Sequence, residues 1–257
     1  MRLVHLLVGA LVLGGGVACG SGGDTVADDS CADLTVIGAR GSGQAVDAAE
    51  PRGFGLEAGL LAQAVGEAAS VAPYDWDTTF AGVDYPAVDV PTARADPAAF
   101  DASVRDGALA ALDLATGAVA TCPGTRLVVI GSSQGAVVAH GLASLLGAQE
   151  QQVVRERVLG IVLLGDPTRD RGDGDVEHAD LRGVSTDDGF IATDVLDVAA
   201  SLRGRVLSVC VQGDSVCASP SGATWADLVI TPEHNEAYGE EVHPTVLGWL
   251  GSRSPLS

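Results

Sequence analysis

The sequence contains no lysine, little proline and few aromatic residues, and each shortage narrows the class of protein. All 14 basic residues are arginines, and 34 acidic residues bring the formal net charge to −20. Such a charge repels nucleic acid, so we predict no nucleic-acid partner. Only 11 of the 257 residues are proline, while 47% are hydrophobic and 19% are charged. This composition excludes a disordered chain, a collagen and a coiled coil, and indicates a globular protein.

The N-terminus has the layout of a secretory signal. Arg2 is followed by an apolar stretch over 3–13 and by small residues up to Ala18. The apolar stretch is too short to be a permanent membrane span. We therefore interpret residues 1–18 as a signal peptide.

A small, acidic segment follows the signal. Residues 19–30 have no apolar periodicity and are interpreted as a flexible tether, which leaves 31–257 as one folded domain. The end of the signal, Val-Ala-Cys, resembles a bacterial lipobox with Cys19 as the lipidated residue. We predict a bacterial protein that is either secreted or attached to the cell membrane through Cys19, and that is a monomer.

The five cysteines are an odd number for an exported protein. Cys19 is the cysteine that we expect to be outside a disulfide, and the other four allow three pairings. The short loop from Cys210 to Cys217 looks like a local clip, which leaves Cys31 with Cys122 as a long-range disulfide. No Cys-x-x-Cys pair of the kind that binds metal is present, and we predict no metal.

Strand and helix patterns alternate along the domain. Apolar runs that end in turns indicate buried strands at 34–37, 126–130, 158–164 and 206–211, and helical spacing occurs at 102–120 and 136–146. This alternation predicts an α/β fold, a three-layer sandwich with a central, mostly parallel sheet. The ligand site of such a sheet lies at the carboxyl ends of its strands, where these turns fall.

One of those turns has the pattern of a nucleophile elbow. The predicted strand 126–130 runs into Gly-Ser-Ser-Gln-Gly at 131–135, and a helix of small residues follows. Glycines two residues before and after a serine allow a tight turn that raises its hydroxyl above the sheet. Ser133 is therefore the candidate nucleophile. The backbone N–H of Gln134, at a helix N-terminus, is a candidate oxyanion donor.

The order of residues in such enzymes requires an acid and then a histidine after the serine. His234 lies in a polar stretch ahead of the last helix and is the candidate base. His140 is interpreted as a partly buried helix residue and His243 as a helix-terminus residue. His178 falls in an acidic loop, 170–180, whose interpretation as a solvated loop is favoured over a Ca²⁺ site because it lacks EF-hand spacing.

Two aspartates compete for the role of the acid. Asp166 and Asp214 each follow a predicted strand. Asp214 lies inside the 210–217 clip, which would hold its carboxylate rigidly toward an imidazole, so it is favoured. Asp166 precedes Pro167 and is interpreted as the cap of a turn.

Four segments together resemble the cutinase family, namely GARGSG at 38–43, GSSQG at 131–135, CVQGDSVC at 210–217 and HNEAYG at 234–239. The resemblance implies a secreted serine esterase with a small α/β-hydrolase fold and no cofactor. It also implies Ser133 as nucleophile, His234 as base and Asp214 as acid, an oxyanion hole from Ser42 and Gln134, and the same two disulfides.

The family acts on cutin-like polyesters, short to medium acyl esters and acetylated xylan. The small number of aromatic residues favours lipid-like or small aliphatic esters over a polysaccharide. The alternatives are an acetylxylan esterase and a surface lipoprotein that uses the hydrolase scaffold only for binding. In the long acidic stretch 168–204, Phe190, Ile191, Val195 and Leu196 are interpreted either as a flap over the site or as a surface helix.

Overall fold

Six parallel strands form the centre of the molecule, in a computed structural model that describes residues 31–191, 197–220 and 223–253. The strands are β1 (Leu34–Ala39), β2 (Thr78–Gly82), β3 (Arg126–Ser132), β4 (Val158–Leu164), β5 (Glu177–Leu181) and β6 (Val206–Val211). Their order across the sheet is β2-β1-β3-β4-β6-β5. The chain moves outward from β1 to β2 and then returns to β3 on the other side of β1. This reversal leaves a crevice at the carboxyl ends of β1 and β3, where α/β sheets bind their ligands.

Helices cover both faces of the sheet. They are α1 (Leu56–Ala69), α2 (Val90–Ala95), α3 (Pro97–Thr121), α4 (Gln134–Leu145), α5 (Gln152–Arg157), α6 (Pro232–Glu236) and α7 (His243–Gly251). Helices α3 and α4 pack on one face and α1 and α7 on the other. The three-layer sandwich predicted from the sequence is therefore confirmed.

Two apolar cores lie on the two faces because successive side chains of a strand point in opposite directions. In β3, Leu127 and Val129 face α3 and α4, whereas Val128 and Ile130 face α1 and α7. Every one of these four side chains is at most 1% exposed. Strands buried on both faces produce the continuous apolar runs from which the sheet was predicted.

Both edge strands were absent from the sequence prediction. Strand β5 begins within the segment 170–180, so the prediction of a solvated loop there is wrong for residues 177–180, which include His178. The strand pairs only with β6 and keeps charged side chains on its surface. Among them, Asp180 forms ion pairs with Arg169 and Arg171. An edge strand of this kind has no apolar run to identify it.

The flap stays a prediction, because the described structure includes Phe190 and Ile191 but not 192–196. Phe190 is 6% exposed and packs in a small apolar cluster with Val216 and Leu228, and Ile191 borders the same cluster. Val195 and Leu196 lie outside the described residues. So do residues 1–30, with the predicted signal peptide, the tether and Cys19. In the part of the chain that is described, no helix combines the length and apolarity needed to cross a membrane.

Candidate active site

The elbow forms where the sequence predicted it. Strand β3 ends at Ser132 and α4 begins at Gln134, so Ser133 is the single residue between them, with φ 54° and ψ −119°. A Cβ on Gly131 would lie 2.0 Å from the carbonyl oxygen of Gly135, and a Cβ on Gly135 would lie 2.0 Å from that of Ala39. Both positions therefore require glycine. The strained serine conformation is typical of residues held at functional sites.

The three candidate catalytic side chains form a continuous hydrogen-bonded chain. His234 Nε2 lies 2.9 Å from Ser133 Oγ, and His234 Nδ1 lies 3.0 Å from each carboxylate oxygen of Asp214. Asp214 follows β6 and is fully buried, and His234, in α6, is 8% exposed. The fold brings together a serine and a histidine that are 101 residues apart.

Asp214 is held as an anion by its surroundings. Burial on its own would raise the pKa of this carboxyl, but hydrogen bonds and charge from His234 outweigh that effect. The Tyr238 hydroxyl donates to Oδ2 at 2.5 Å and the Val216 N–H donates to Oδ1 at 2.8 Å. Together these groups hold the pKa of Asp214 below its ordinary value. An ionised carboxylate at this position favours the imidazole tautomer with its proton on Nδ1.

Both predicted disulfides are present, and the shorter one borders the acid. Cys31 is bonded to Cys122 and Cys210 to Cys217. Cys217 Sγ lies 3.2 Å from Asp214 Oδ2. A disulfide sulfur carries no hydrogen, so this is a packing contact. The clip therefore closes the short loop that carries the carboxylate and packs against Oδ2.

Ser133 and His234 open into a pocket of about 270 Å³. Gly41, Ser42 and Gln44, which follow β1, line the same pocket. Ser42 and the Gln134 backbone N–H, the sequence-predicted oxyanion donors, lie on the pocket wall and at the first residue of α4 respectively. The donors and the nucleophile are thus gathered at the crevice between β1 and β3.

Buried polar side chains brace the segment that carries Ser42. Arg40 is 4% exposed and donates from Nε to the carbonyl oxygen of Gln44 at 2.9 Å. The Gly41 N–H donates to Gln44 Oε1 at 3.1 Å, and Gln44 Nε2 donates to Glu57 Oε2 at 2.9 Å. These bonds give the segment a defined position before any substrate binds.

Two further histidines, His140 and His243, lie outside the hydrogen-bonded chain of candidate catalytic side chains. His140 lies in the interior of α4, where Nδ1 is 3.2 Å from Asp166 Oδ2 and 3.0 Å from Thr168 Oγ1. Asp166 also caps its own turn, because the Thr168 N–H donates to Oδ1 at 2.8 Å. His243 begins α7, as the sequence indicated. Within the described ranges, no group of three or more His, Cys, Asp or Glu side chains could hold a metal ion.

Several residues that touch this site were not predicted from the sequence, namely Tyr238, Arg40, Gln44 and Glu57. Tyr238 belongs to the HNEAYG segment and follows His234 by four residues, a spacing that places two side chains on the same face of a helix. Arg40 and Gln44 flank the predicted oxyanion serine. Glu57 had no sequence signal, because it lies in the first turn of a helix distant in the chain.

A parallel sheet covered by helices on both faces, with a serine on a strand-to-helix elbow, defines the α/β-hydrolase class. Within that class, the chain belongs to the cutinase family, whose model, described as Cutinase, matches residues 30–247. The chain is accordingly a carboxylic ester hydrolase.

Two curated relatives cover most of the chain. It is 34% identical to Cutinase CUT1 of Coprinopsis cinerea over 224 residues, which are 87% of this chain and 84% of that protein. It is 31% identical to the cutinase of Botryotinia fuckeliana over 194 residues, or 73% of this chain and 71% of the relative.

Solved structures show the same fold at lower identity. The catalytic core domain of acetyl xylan esterase from Trichoderma reesei aligns with a TM-score of 0.63 at 22% identity, covering 87% of this chain and 100% of that one. A cutinase-like protein from Cryptococcus sp. aligns with a TM-score of 0.58 at 20% identity, covering 87% and 97%.

Proposed function

We propose that this protein is an exported serine esterase that cleaves carboxylic esters of short to medium acyl groups or polyesters. The observation that carries the proposal is the hydrogen-bonded chain from Ser133 through His234 to Asp214, open to a pocket. This arrangement supports nucleophilic catalysis, because the imidazole can accept the serine proton while the carboxylate stabilises the resulting imidazolium.

The proposed reaction has two steps. Ser133 Oγ bonds to the ester carbonyl carbon as its proton passes to His234 Nε2, and the same proton then goes to the departing alkoxide. Water next attacks the acyl-enzyme, gives its proton to His234, and releases the acid while the serine regains its hydrogen. In each step the Gln134 N–H and Ser42 stabilise the negative oxygen.

The pocket supports two substrate classes. Val90 and Ile230 supply apolar surface for a short acyl chain. The hydrogen-bonded side chains of Gln44 and Glu57 form a polar wall in the same pocket, and Glu57 is 8% exposed. A carboxylate there can accept hydrogen bonds from hydroxyl groups, which favours an acetylated sugar as the second candidate substrate.

We also propose that the protein acts outside the cytoplasm, as a monomer. The two disulfides fit an oxidising environment. Lipid attachment through Cys19 and a bacterial source remain proposals based on the N-terminal sequence. Mass spectrometry of the native N-terminus should find a diacylglycerol-modified Cys19, and an unmodified N-terminus would remove the anchor from the proposal.

Active-site labelling tests the mechanism directly. A fluorophosphonate should modify Ser133, and Ser133→Ala should abolish labelling and lower kcat on the order of 10⁶-fold. Ser208→Ala is the matched control, because it removes a buried serine hydroxyl from the interior of β6. Full hydrolysis by Ser133→Ala would overturn the esterase mechanism.

A substrate panel separates the two substrate classes. Aryl esters with acyl chains from two to twelve carbons report acyl preference, and acetylated xylo-oligosaccharides report the sugar alternative. If the sugar esters are the better substrates, Glu57→Gln should raise KM for them more than for aryl acetate. Equal effects on both would argue against a hydroxyl-binding role for this wall.

A further inference from the structure

The Tyr238 hydroxyl contacts the carboxylate of Asp214 at Oδ2, and the tyrosine ring lies edge-on to His234, with 6.4 Å between the ring centroids. Its side chain is 1% exposed. The hydroxyl is 2.5 Å from Asp214 Oδ2 and 3.2 Å from both the backbone nitrogen of Val211 and Cys217 Sγ. Among the described residues, the polar contacts of this hydroxyl are with the acid and with the segment 211–217 that carries it.

The direction of these hydrogen bonds follows from the groups involved. The Val211 N–H is a donor, so it occupies an acceptor position on the tyrosine oxygen, and the disulfide sulfur of Cys217 has no hydrogen to give. The single hydroxyl hydrogen is thus available for Asp214 Oδ2. Burial, followed by the negative charge and hydrogen bond of Asp214, raises the pKa of Tyr238 well above its ordinary value. The hydroxyl stays protonated and remains a donor.

The need for this donor is set by the burial of the acid. Asp214 has no exposed surface, so water does not solvate its charge, and Oδ2 must be satisfied by neighbouring groups. The Val216 N–H serves Oδ1, whereas His234 Nδ1 is shared between both oxygens. Tyr238 is the donor that serves Oδ2 apart from the imidazole.

We propose that Tyr238 is a positioning residue for ester hydrolysis, which acts on His234 through Asp214 by stabilising and orienting the carboxylate. The inference rests on the proposed function of these residues. Without the hydroxyl, the buried carboxylate is a stronger base toward the imidazole proton and is free to rotate about its Cβ–Cγ bond. The imidazolium then returns its proton to the leaving alkoxide less readily, and a fraction of the imidazoles is misaligned.

In the described structure, few other charged groups lie near the Tyr238 hydroxyl. Besides Asp214 and His234, the buried Arg169 lies behind the clip, where its guanidinium is 3.5 Å from the carbonyl oxygen of Cys217 and pairs with Asp180. The Arg169–Asp180 pair is unchanged by removal of the tyrosine oxygen. An altered pH profile in a Tyr238 variant therefore reports on Asp214 and His234.

The first experiment is Tyr238→Phe, which keeps the ring and removes only the oxygen. We expect kcat to fall about tenfold with KM unchanged, since a hydrogen bond to a charged group is lost. We also expect the acid limb of the kcat profile to move to higher pH. Tyr74→Phe is the matched control, because Tyr74 lies at the opposite end of the sheet, beside Leu34 and Leu159. A wild-type kcat and an unmoved acid limb would overturn the inference.

A double-mutant cycle separates positioning from packing. If Tyr238 acts through the acid, adding Tyr238→Phe to Asp214→Asn should cost little further activity. A full tenfold loss in both backgrounds would show that the hydroxyl acts independently of Asp214, and would contradict the proposal.

A second variant covers the case in which Tyr238→Phe fails to fold. Site-specific 3-fluorotyrosine at position 238 keeps the hydroxyl and makes it a stronger donor, so the acid limb should move to lower pH. An unmoved limb in this folded variant would also reject the inference. Failure of the proposed function is distinct, because the wild type itself would then show no Ser133-dependent hydrolysis.

Discussion

Two buried aspartates follow neighbouring strands of the sheet, and each is hydrogen-bonded to a histidine. Asp214 binds His234, which continues to Ser133 Oγ at 2.9 Å. Asp166 binds His140, which lies in the interior of α4 and is not among the residues that line the pocket. Both aspartates are fully buried, and both have a pKa below the ordinary value for a carboxyl.

Burial and a histidine partner therefore do not distinguish a candidate catalytic acid from a structural one. What differs is the element that carries each histidine. His140 belongs to α4, the helix that begins directly after Ser133. Its hydrogen bond to Asp166 therefore connects the turn after β4 to that helix. His234 comes from α6, which approaches the elbow from a different part of the chain. Only that approach directs an imidazole nitrogen at the serine hydroxyl.

The largest expected effect tests which aspartate is the acid. Asp214→Asn should lower kcat on the order of 10⁴-fold, because an amide favours the wrong tautomer of His234. Asp166→Asn should leave kcat within about threefold of the wild type, since in the described structure Asp166 is hydrogen-bonded to His140 and Thr168. Steady-state kinetics on one activated ester measures both. A crippled Asp166→Asn beside a normal Asp214→Asn would reverse the assignment.

The same Asp166→Asn variant should be less stable. The carboxylate accepts hydrogen bonds from the Thr168 N–H and hydroxyl and faces His140 Nδ1. An amide cannot accept all of them, so we expect a loss of about 2 kcal/mol in the free energy of unfolding, or a fall in Tm of roughly 4–8 °C. Thermal melting by circular dichroism provides the measurement. A melting curve that matches the wild type would mean that the His140 pair contributes nothing to stability.

The clip offers a third contrast, because it borders Asp214 and not Asp166. Replacing Cys210 and Cys217 together by alanine should lower kcat about tenfold through misplacement of the carboxylate, or roughly 1.4 kcal/mol in the barrier. The effect on Tm should be smaller than that of losing the long disulfide, since the loop-entropy relation gives about 2.5 kcal/mol for the short loop and about 4.6 kcal/mol for the long one. The control is the corresponding double variant of Cys31 and Cys122, whose long loop predicts the opposite balance. Equal losses of Tm and kcat in the first variant would argue against a positional role.

The smallest expected effect is on the stability of the fold at acidic pH. The pKa of Asp166 is lowered in the folded state, because hydrogen bonds and charge from His140 and bonds from Thr168 overcome the opposing effect of burial. The unfolded chain therefore binds this proton more tightly, so the stabilisation is complete above the ordinary value of about 3.9 and is lost as the pH falls below it. Asp166→Asn should show a smaller difference in Tm between pH 7 and pH 3 than the wild type. An unchanged difference would assign the acid sensitivity to other carboxyls.

Much of the site could be predicted from local sequence. The elbow was identified because glycines at 131 and 135 have a steric cause that is independent of the rest of the fold, and the structure shows the close contacts that require them. The central strands were identified because strands buried on both faces are continuously apolar. Strand β5 was missed because an edge strand has charged side chains and a single partner, so its pattern resembles that of a loop.

The sequence by itself determined the class of fold, the position of Ser133 and the two disulfides, since each depends on a short segment or on a small set of cysteines. Only the tertiary structure decided that Asp166 meets His140 and that Tyr238 donates to Asp214 Oδ2. These contacts join residues from separate elements, such as Val211 and Tyr238, through oxygen and nitrogen atoms a few ångströms apart. Hydrogen bonds depend on distance and direction, and neither is encoded in the spacing of residues along the chain.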